Sequence, residues 1–258
     1  MVAWRDLRER AIQSLSTPEI VYCCVVIVLA YAARGSTGFG AAAAMPLMGL
    51  VVPMKVLVPA WTLLGIVAGA SLLGVDRRNI SWIDIARVLP TCLIGIVVGV
   101  WLFTRLDART LAQGLGLLVV AYGVYAAWGT VRPLKPPQLP GNVVGPFAGL
   151  IGGMVGATFG TLASLFFAMY LDAIRLAKEA FRATMTALLL ALTVSRGIGY
   201  WLVGEFNRDV LLMFAATLPM MLIGIYIGDR IHTGLDDTTF RRLVSAALIV
   251  SGLALLVK

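Results

Sequence analysis

Ser36-Thr37-Gly38-Phe39-Gly40-Ala41 interrupts an apolar segment over about residues 18–52, and Gly156-Ala157-Thr158-Phe159-Gly160-Thr161 interrupts a second over about 142–171. Without these breaks each segment would read as one overlong transmembrane helix. In hydrocarbon a broken helix frees N–H and C=O groups that find no water, so such backbone survives only when buried in protein or lining a wet cavity. A glycine-interrupted break at corresponding places in two halves of a chain points to the binding site of a transporter.

The rest of the composition agrees with a membrane setting. Of 258 residues, 60% are hydrophobic and 13% charged, with a mean hydropathy of +0.92, whereas soluble domains sit near ~45–50% apolar and ~25% charged. The expected fold class is therefore an all-α polytopic membrane protein with no sizeable soluble domain. The net charge of +8 is not a nucleic-acid footprint. Lys and Arg fall between the apolar runs, where they set orientation and meet anionic headgroups. Cys23, Cys24 and Cys92 lie inside apolar runs without metal or redox spacing and read as small core residues. Residues 1–17, with Arg5, Arg8 and Arg10, read as a retained interfacial segment rather than a signal peptide.

Taken in order, the first break is followed by apolar runs near 57–73, 88–103 and 111–128, each approaching the ~20 residues needed to span. A Pro-rich linker (129–141) follows, and the pattern restarts with runs near 180–203, 210–228 and 243–257. Leu89-Pro90, Leu93-Ile94-Gly95-Ile96 and Gly99 recur at an offset of 129 as Leu218-Pro219, Leu222-Ile223-Gly224-Ile225 and Gly228. Thr104, Leu106, Asp107 and Thr110 recur likewise as Thr233, Leu235, Asp236 and Thr239. Phe39-Gly40 matches Phe159-Gly160, and after a two-residue slip Thr62 matches Thr184. Two homologous repeats are expected, 18–128 and 142–258, each a broken element plus three transmembrane helices. The count of Lys and Arg between runs is even if all eight elements cross. It tips to one side if both broken elements are re-entrant hairpins, which inverts the halves; making only the second re-entrant tips it further but breaks the symmetry. The expectation is inverted halves.

A half-helix that begins inside the bilayer points unpaired N–H groups and a positive dipole end at whatever lies there, and so attracts anions. The segments starting at Ala41 and Thr161 are the candidates, with hydroxyls on Ser36, Thr37, Thr158 and Thr161 beside them. Gly38, Gly40, Gly156 and Gly160 let the backbone bend and approach a ligand, and Phe39 and Phe159 sit within the breaks. The run Ala41–Ala44 reads equally well as tight helix packing by small residues. Three arginines bear on charge: Arg34 abuts the first break, Arg182 opens the run after the second, and Arg196 lies 14 residues further along the same face. Arg182 reads as readily as a side chain snorkelling to the headgroups. Arg196, roughly 10 Å from its helix end, can snorkel too. The aspartates and glutamates of the long runs all fall near the ends of those runs, so the interior favours an anionic guest, and His232 reads as a loop residue.

The breaks, Pro46 after the first of them, and Lys178-Glu179-Ala180-Phe181-Arg182-Ala183-Thr184 resemble the TauE/SafE-type sulfite exporter family, also called toluene sulfonate uptake permeases. The resemblance covers nearly the whole chain, and implies an integral membrane carrier of a sulfur-containing oxyanion. It carries a binding role onto Gly38, Gly40, Gly156, Gly160, Arg182 and Thr184. One departure is that Ala41–Ala44 stand where the family often continues its glycines. The expected function is a secondary transporter, an exporter of sulfite or an organosulfonate, working by alternating access around a midplane site formed by the two broken helices. A passive anion channel is the alternative. An enzyme is not expected, since no nucleophile–base pair is visible, nor is a metal or cofactor. Expected partners are a small anionic substrate, the lipid bilayer of the inner membrane and, for assembly, a second copy in a homodimer.

Overall fold

The computed structural model describes residues 17–37, 44–73, 77–131, 140–230 and 237–257. The interfacial reading of 1–16 and the loop reading of His232 lie outside the described residues. Among those described there are ten α-helices, one 3-10 turn (Arg77–Asn79) and no strand. The helices are α1 (Thr17–Thr37), α2 (Ala44–Gly49), α3 (Met54–Leu73), α4 (Trp82–Arg105), α5 (Ala108–Val131), α6 (Gly141–Phe159), α7 (Ala163–Ala173), α8 (Lys178–Leu202), α9 (Arg208–Arg230) and α10 (Asp237–Val257). Five of them, α3, α4, α6, α8 and α9, are long and apolar enough to cross a membrane. The outward face of α4 carries Leu93, Ile94, Val97, Val98 and Trp101, all exposed, while Val88, Cys92, Ile96, Val100 and Phe103 are buried. A helix apolar all round suits a lipid surround.

The chain divides into two compact units: Met1–Leu57, Ala108–Leu134 and Asn207–Lys258 form one, and Val58–Asp107 and Lys135–Phe206 the other. Neither unit coincides with a half of the sequence. The first unit holds α1, α2, α5, α9 and α10. In it α9 packs along α1 in the same direction. A Cβ on Gly224 would meet the Val28 carbonyl oxygen at 2.7 Å, and one on Gly228 would meet that of Ala32 at 2.5 Å. α5 and α10 run antiparallel, with Gly116 against Gly252 and Leu255, and Gly252 against Val120. The short α2 is tied to α1 by the Tyr22 hydroxyl, which donates to the Leu47 carbonyl at 3.2 Å.

The second unit holds nearly all of α3 together with α4, α6, α7 and α8. Here α4 and α6 run parallel and interlock through four glycines. A Cβ on Gly95 would strike the Leu150 carbonyl, on Gly99 that of Met154, on Gly149 that of Val88 and on Gly153 that of Cys92. Each helix contributes two glycines four residues apart, so both backbones approach more closely than any side chain allows. α7 folds back along α6: Gly156 lies against Ala163, Gly152 against Phe167, Gly145 against Tyr170, and Gly141 against Ile174. The hairpin α6–α7 therefore starts and finishes at one end of the unit. α8 runs parallel to α4, with Gly199 on Val100, and antiparallel to α3, with Thr193 on Gly65, Leu190 on Gly69 and Thr62 on Gly197.

A buried carboxylate fastens the end where the hairpin begins and finishes. Asp84, in the first turn of α4, is 5% exposed. It accepts the Tyr170 hydroxyl at 2.8 Å, the Ser81 hydroxyl at 2.5 Å and an Arg87 N–H at 3.2 Å. The Ser81 backbone N–H in turn donates to Thr184 Oγ1 at 2.9 Å, bringing in the start of α8. A carboxyl group in a helix first turn suits the dipole, and three donors offset the cost of its burial. The sequence places Asp84 correctly near a helix end but gives no sign that it is buried, because its partner Tyr170 is 86 residues away.

Two outcomes are expected for the protein in detergent. Gly153→Leu, which forces a side chain into the Cys92 carbonyl, lowers stability by about 1–3 kcal/mol or more, whereas Ile94→Val on the exposed face leaves the melting temperature nearly unchanged. Tyr170→Phe, which removes one hydrogen bond to a carboxylate, costs about 1.5–3 kcal/mol, read as a lower thermal midpoint.

Candidate anion site at the second break

The last turn of α6 ends where Gly160 adopts the left-handed conformation (φ 77°), its N–H donating to the Gly156 carbonyl at 3.0 Å. This is the glycine C-cap that the sequence motif requires. Two residues later Leu162, itself left-handed at φ 68°, precedes the first residue of α7. A non-glycine residue there costs on the order of 1 kcal/mol, and Leu162 is held by a side chain that is 4% exposed. The half-helix thus begins at Ala163, two residues after Thr161, where the sequence places it, because the chain needs both left-handed residues to reverse direction.

Side chains from α8 reach the carbonyls of the last turn of α6. Arg196 Nη1 donates to the Gly156 carbonyl and the Tyr200 hydroxyl to that of Ala157. The Thr158 hydroxyl bonds to the Met154 carbonyl at 2.8 Å and the Gly99 carbonyl at 3.2 Å. Arg196 is 1% exposed, so its head lies inside the protein and does not snorkel to an interface. Tyr200 escaped the sequence reading. The available signal was its position one turn after Arg196, on the same helix face.

The donors freed at the start of α7 are not taken. The backbone N–H groups of Thr161, Leu162, Ala163 and Ser164 make no hydrogen bond to any described residue, and neither do the Thr161 and Ser164 hydroxyls; the next N–H, of Leu165, turns back to the Leu162 carbonyl at 3.1 Å. Ser164 also escaped the sequence reading, although a hydroxyl in the first turn of a half-helix is a visible signal. Because helix N–H groups point towards the N-terminus, and α7 runs opposite to α4, this row faces the end at which α4 and α8 finish. It lies level with Gly99, about 8 Å beyond the midpoint of α4 at 1.5 Å per residue. The break is thus displaced from the helix centres.

Of the residues expected at the site, the structure gathers Thr62, Gly156, Thr158, Phe159, Gly160, Thr161 and Arg196 at this level. Thr62 lies beside Gly197, fully buried, its hydroxyl donating to the Val58 carbonyl at 2.8 Å. Arg182 and Thr184 are not brought there. Thr184 is about 18 Å from Arg196 along α8 and joins Ser81 in the knot around Asp84, while Arg182 is exposed in the same helical turn. Gly38, Phe39 and Gly40 lie outside the described residues, as do the side chains of Arg34, Ser36 and Thr37 in the last turn of α1. The half-helix after the first break, α2, begins at Ala44 and has six residues. Asp84, the one buried carboxylate among the described residues, is about 22 Å from Gly99 along α4. No cluster of His, Cys, Asp or Glu that would hold a metal occurs among the described residues.

The site is therefore a strip of donors that find no partner among the described residues, with a guanidinium beside it, an arrangement suited to an anion. Comparison with known proteins agrees with a membrane carrier. The chain is 26% identical over 185 residues, 70% of its length, to the probable inner membrane transporter protein TsaS of Comamonas testosteroni, covering 75% of that protein. No solved structure matches it. The model of the sulfite exporter TauE/SafE family matches residues 23–255, and the chain belongs to that family.

Proposed function

We propose that this protein is a multi-pass inner-membrane secondary carrier that exports a small sulfur-containing oxyanion, sulfite or an organosulfonate, by alternating access. The observation that carries the reading is the row of uncommitted N–H groups from Thr161 to Ser164, flanked by the Thr161 and Ser164 hydroxyls. An anion leaving water exchanges its hydration for fixed donors, and a helix N-terminus with several free N–H groups offers these without rearrangement. The donors suit an ion with two or three oxygens on one centre. The positive charge of Arg196 adds a favourable field in a region of low dielectric.

Inverted halves belong to the same proposal. The helices that the repeat matches, α3 with α8 and α5 with α10, pack antiparallel to one another, which is the relation that inversion requires. The hairpin α6–α7 starts and finishes at one end, which is the relation that a re-entrant element requires. The Comamonas relative, a probable inner membrane transporter, supports the inner membrane, and membership of the sulfite exporter family supports sulfite or a related anion. Arg182, exposed at the far end of α8 from the break, enters as a group on the route of the anion, and Thr184 supports that end through the knot around Asp84.

Three outcomes are expected. In a thermal-shift series on the purified protein, sulfite or a short sulfonate raises the midpoint in a concentration-dependent way, because a ligand of the folded state stabilises it by mass action; chloride at equal ionic strength does not. In proteoliposomes, flux saturates and is stimulated by counter-anion on the far side, whereas large single-channel currents would favour a pore. Arg182→Ala, expressed and reconstituted at wild-type level, loses anion flux, and unchanged flux would remove Arg182 from the route.

A further inference from the structure

Arg196 and Tyr200 lie one turn apart on α8, 1% and 0% exposed, and their heads meet consecutive carbonyls of α6, those of Gly156 and Ala157. The same turn is tied sideways to α4 by the Thr158 hydroxyl. Two side chains from α8 and one from α6 itself thus fix one turn between α8 and α4, and that turn leads directly into Gly160, Leu162 and the row of uncommitted N–H groups. The Tyr200 ring is itself wedged, with the Phe103 ring centroid 5.0 Å away and that of Phe206 at 6.5 Å. The C-terminal end of a helix carries partial negative charge and favours a cation, and a buried guanidinium is tolerated only when its donors are used. Arg196 meets the first at the end of α6 and answers the second through Nη1.

We propose that Arg196 and Tyr200 are positioning residues, which hold the last turn of α6 so that the Thr161–Ser164 N–H groups are aimed at the anion. This rests on the anion-site reading above and gives Arg196 a role different from direct ligation. A ligating arginine acts through its charge at the substrate, and its loss leaves the backbone of the break as it was. A positioning arginine acts through the carbonyl it holds, and an uncharged neighbour holding the next carbonyl must then matter in the same way. Tyr200→Phe separates the two roles because it removes one hydroxyl and no charge.

The test uses the purified full-length chain in detergent, with sulfite titrated calorimetrically and amide hydrogen exchange followed in peptides covering residues 156–165. Tyr200→Phe weakens sulfite binding roughly tenfold, because a turn that has lost its clamp must be ordered as the anion binds. It also lowers the thermal midpoint and speeds exchange at 158–160, the amides that close the last turn of α6, while exchange in the first turns of α4 changes little. Arg196→Met speeds the same amides with no anion present, which loss of a ligand alone would not do. Phe103→Leu, which loosens the Tyr200 ring and removes no hydrogen bond, shifts both readouts in the same direction by less; it carries the comparison if Tyr200→Phe does not purify as a folded protein. A Tyr200→Phe protein with wild-type affinity and wild-type exchange overturns the clamp and leaves the anion site standing. A wild-type protein that binds no sulfite overturns the anion site instead. Exchange then decides the clamp alone, faster exchange at 158–160 sustaining it and unchanged exchange refuting it.

Discussion

A carbonyl that loses its helical partner inside an apolar protein must find another donor, and the second half of this molecule is arranged around meeting that need at Ala157, beside a Gly156 carbonyl that keeps the Gly160 N–H and gains Arg196. Leaving the Ala157 group bare would cost about 1–3 kcal/mol, a large fraction of the stability of any fold. The chain meets it with an arginine and a tyrosine from α8 and a glycine C-cap from the break itself. The opposite end of the same break is treated differently. The N–H groups that open α7 find no partner among the described residues, and the proposed anion site rests on this asymmetry between satisfied acceptors and uncommitted donors.

The packing around the break follows from the same constraint. To bring Arg196 and Tyr200 within reach of α6, helices α4, α6 and α8 must lie close together, and glycines make this approach feasible. Gly95 and Gly99 accept the α6 backbone, Gly149 and Gly153 accept that of α4, and Gly156 leaves room for Ala163 and Leu192. The buried Asp84 fastens the distant end of the hairpin through Tyr170, and Ser81 hands the connection on to Thr184. A hairpin closed at one end and clamped at the other is a stiff platform, and stiffness is what keeps donors preorganised for an anion.

Much of this was legible in the sequence. The second break, the glycines of α4 and α9 and the positions of the long helices all follow from local signals, helix-breaking residues in apolar runs among them. Less legible were features that depend on which elements meet. The sequence suggested that Arg196 binds the anion or snorkels, since a single arginine in an apolar run carries no record of a carbonyl 40 residues earlier. Asp84 gave no hint of burial because its donors come from α8's neighbour α7 and from its own turn. Thr184, placed at the site by resemblance, lies in the knot around Asp84. The two compact units combine elements from both halves, an exchange that no linear reading of repeats contains.

The central claim is that the N-terminus of α7 receives an oxyanion. It is tested most directly by determining the structure in complex with selenite, a sulfite analogue whose selenium can be located by anomalous scattering. The account predicts an anomalous peak within hydrogen-bonding reach of the Thr161–Ser164 backbone N–H groups. Selenium bound elsewhere in the protein, with none at this break, would contradict it.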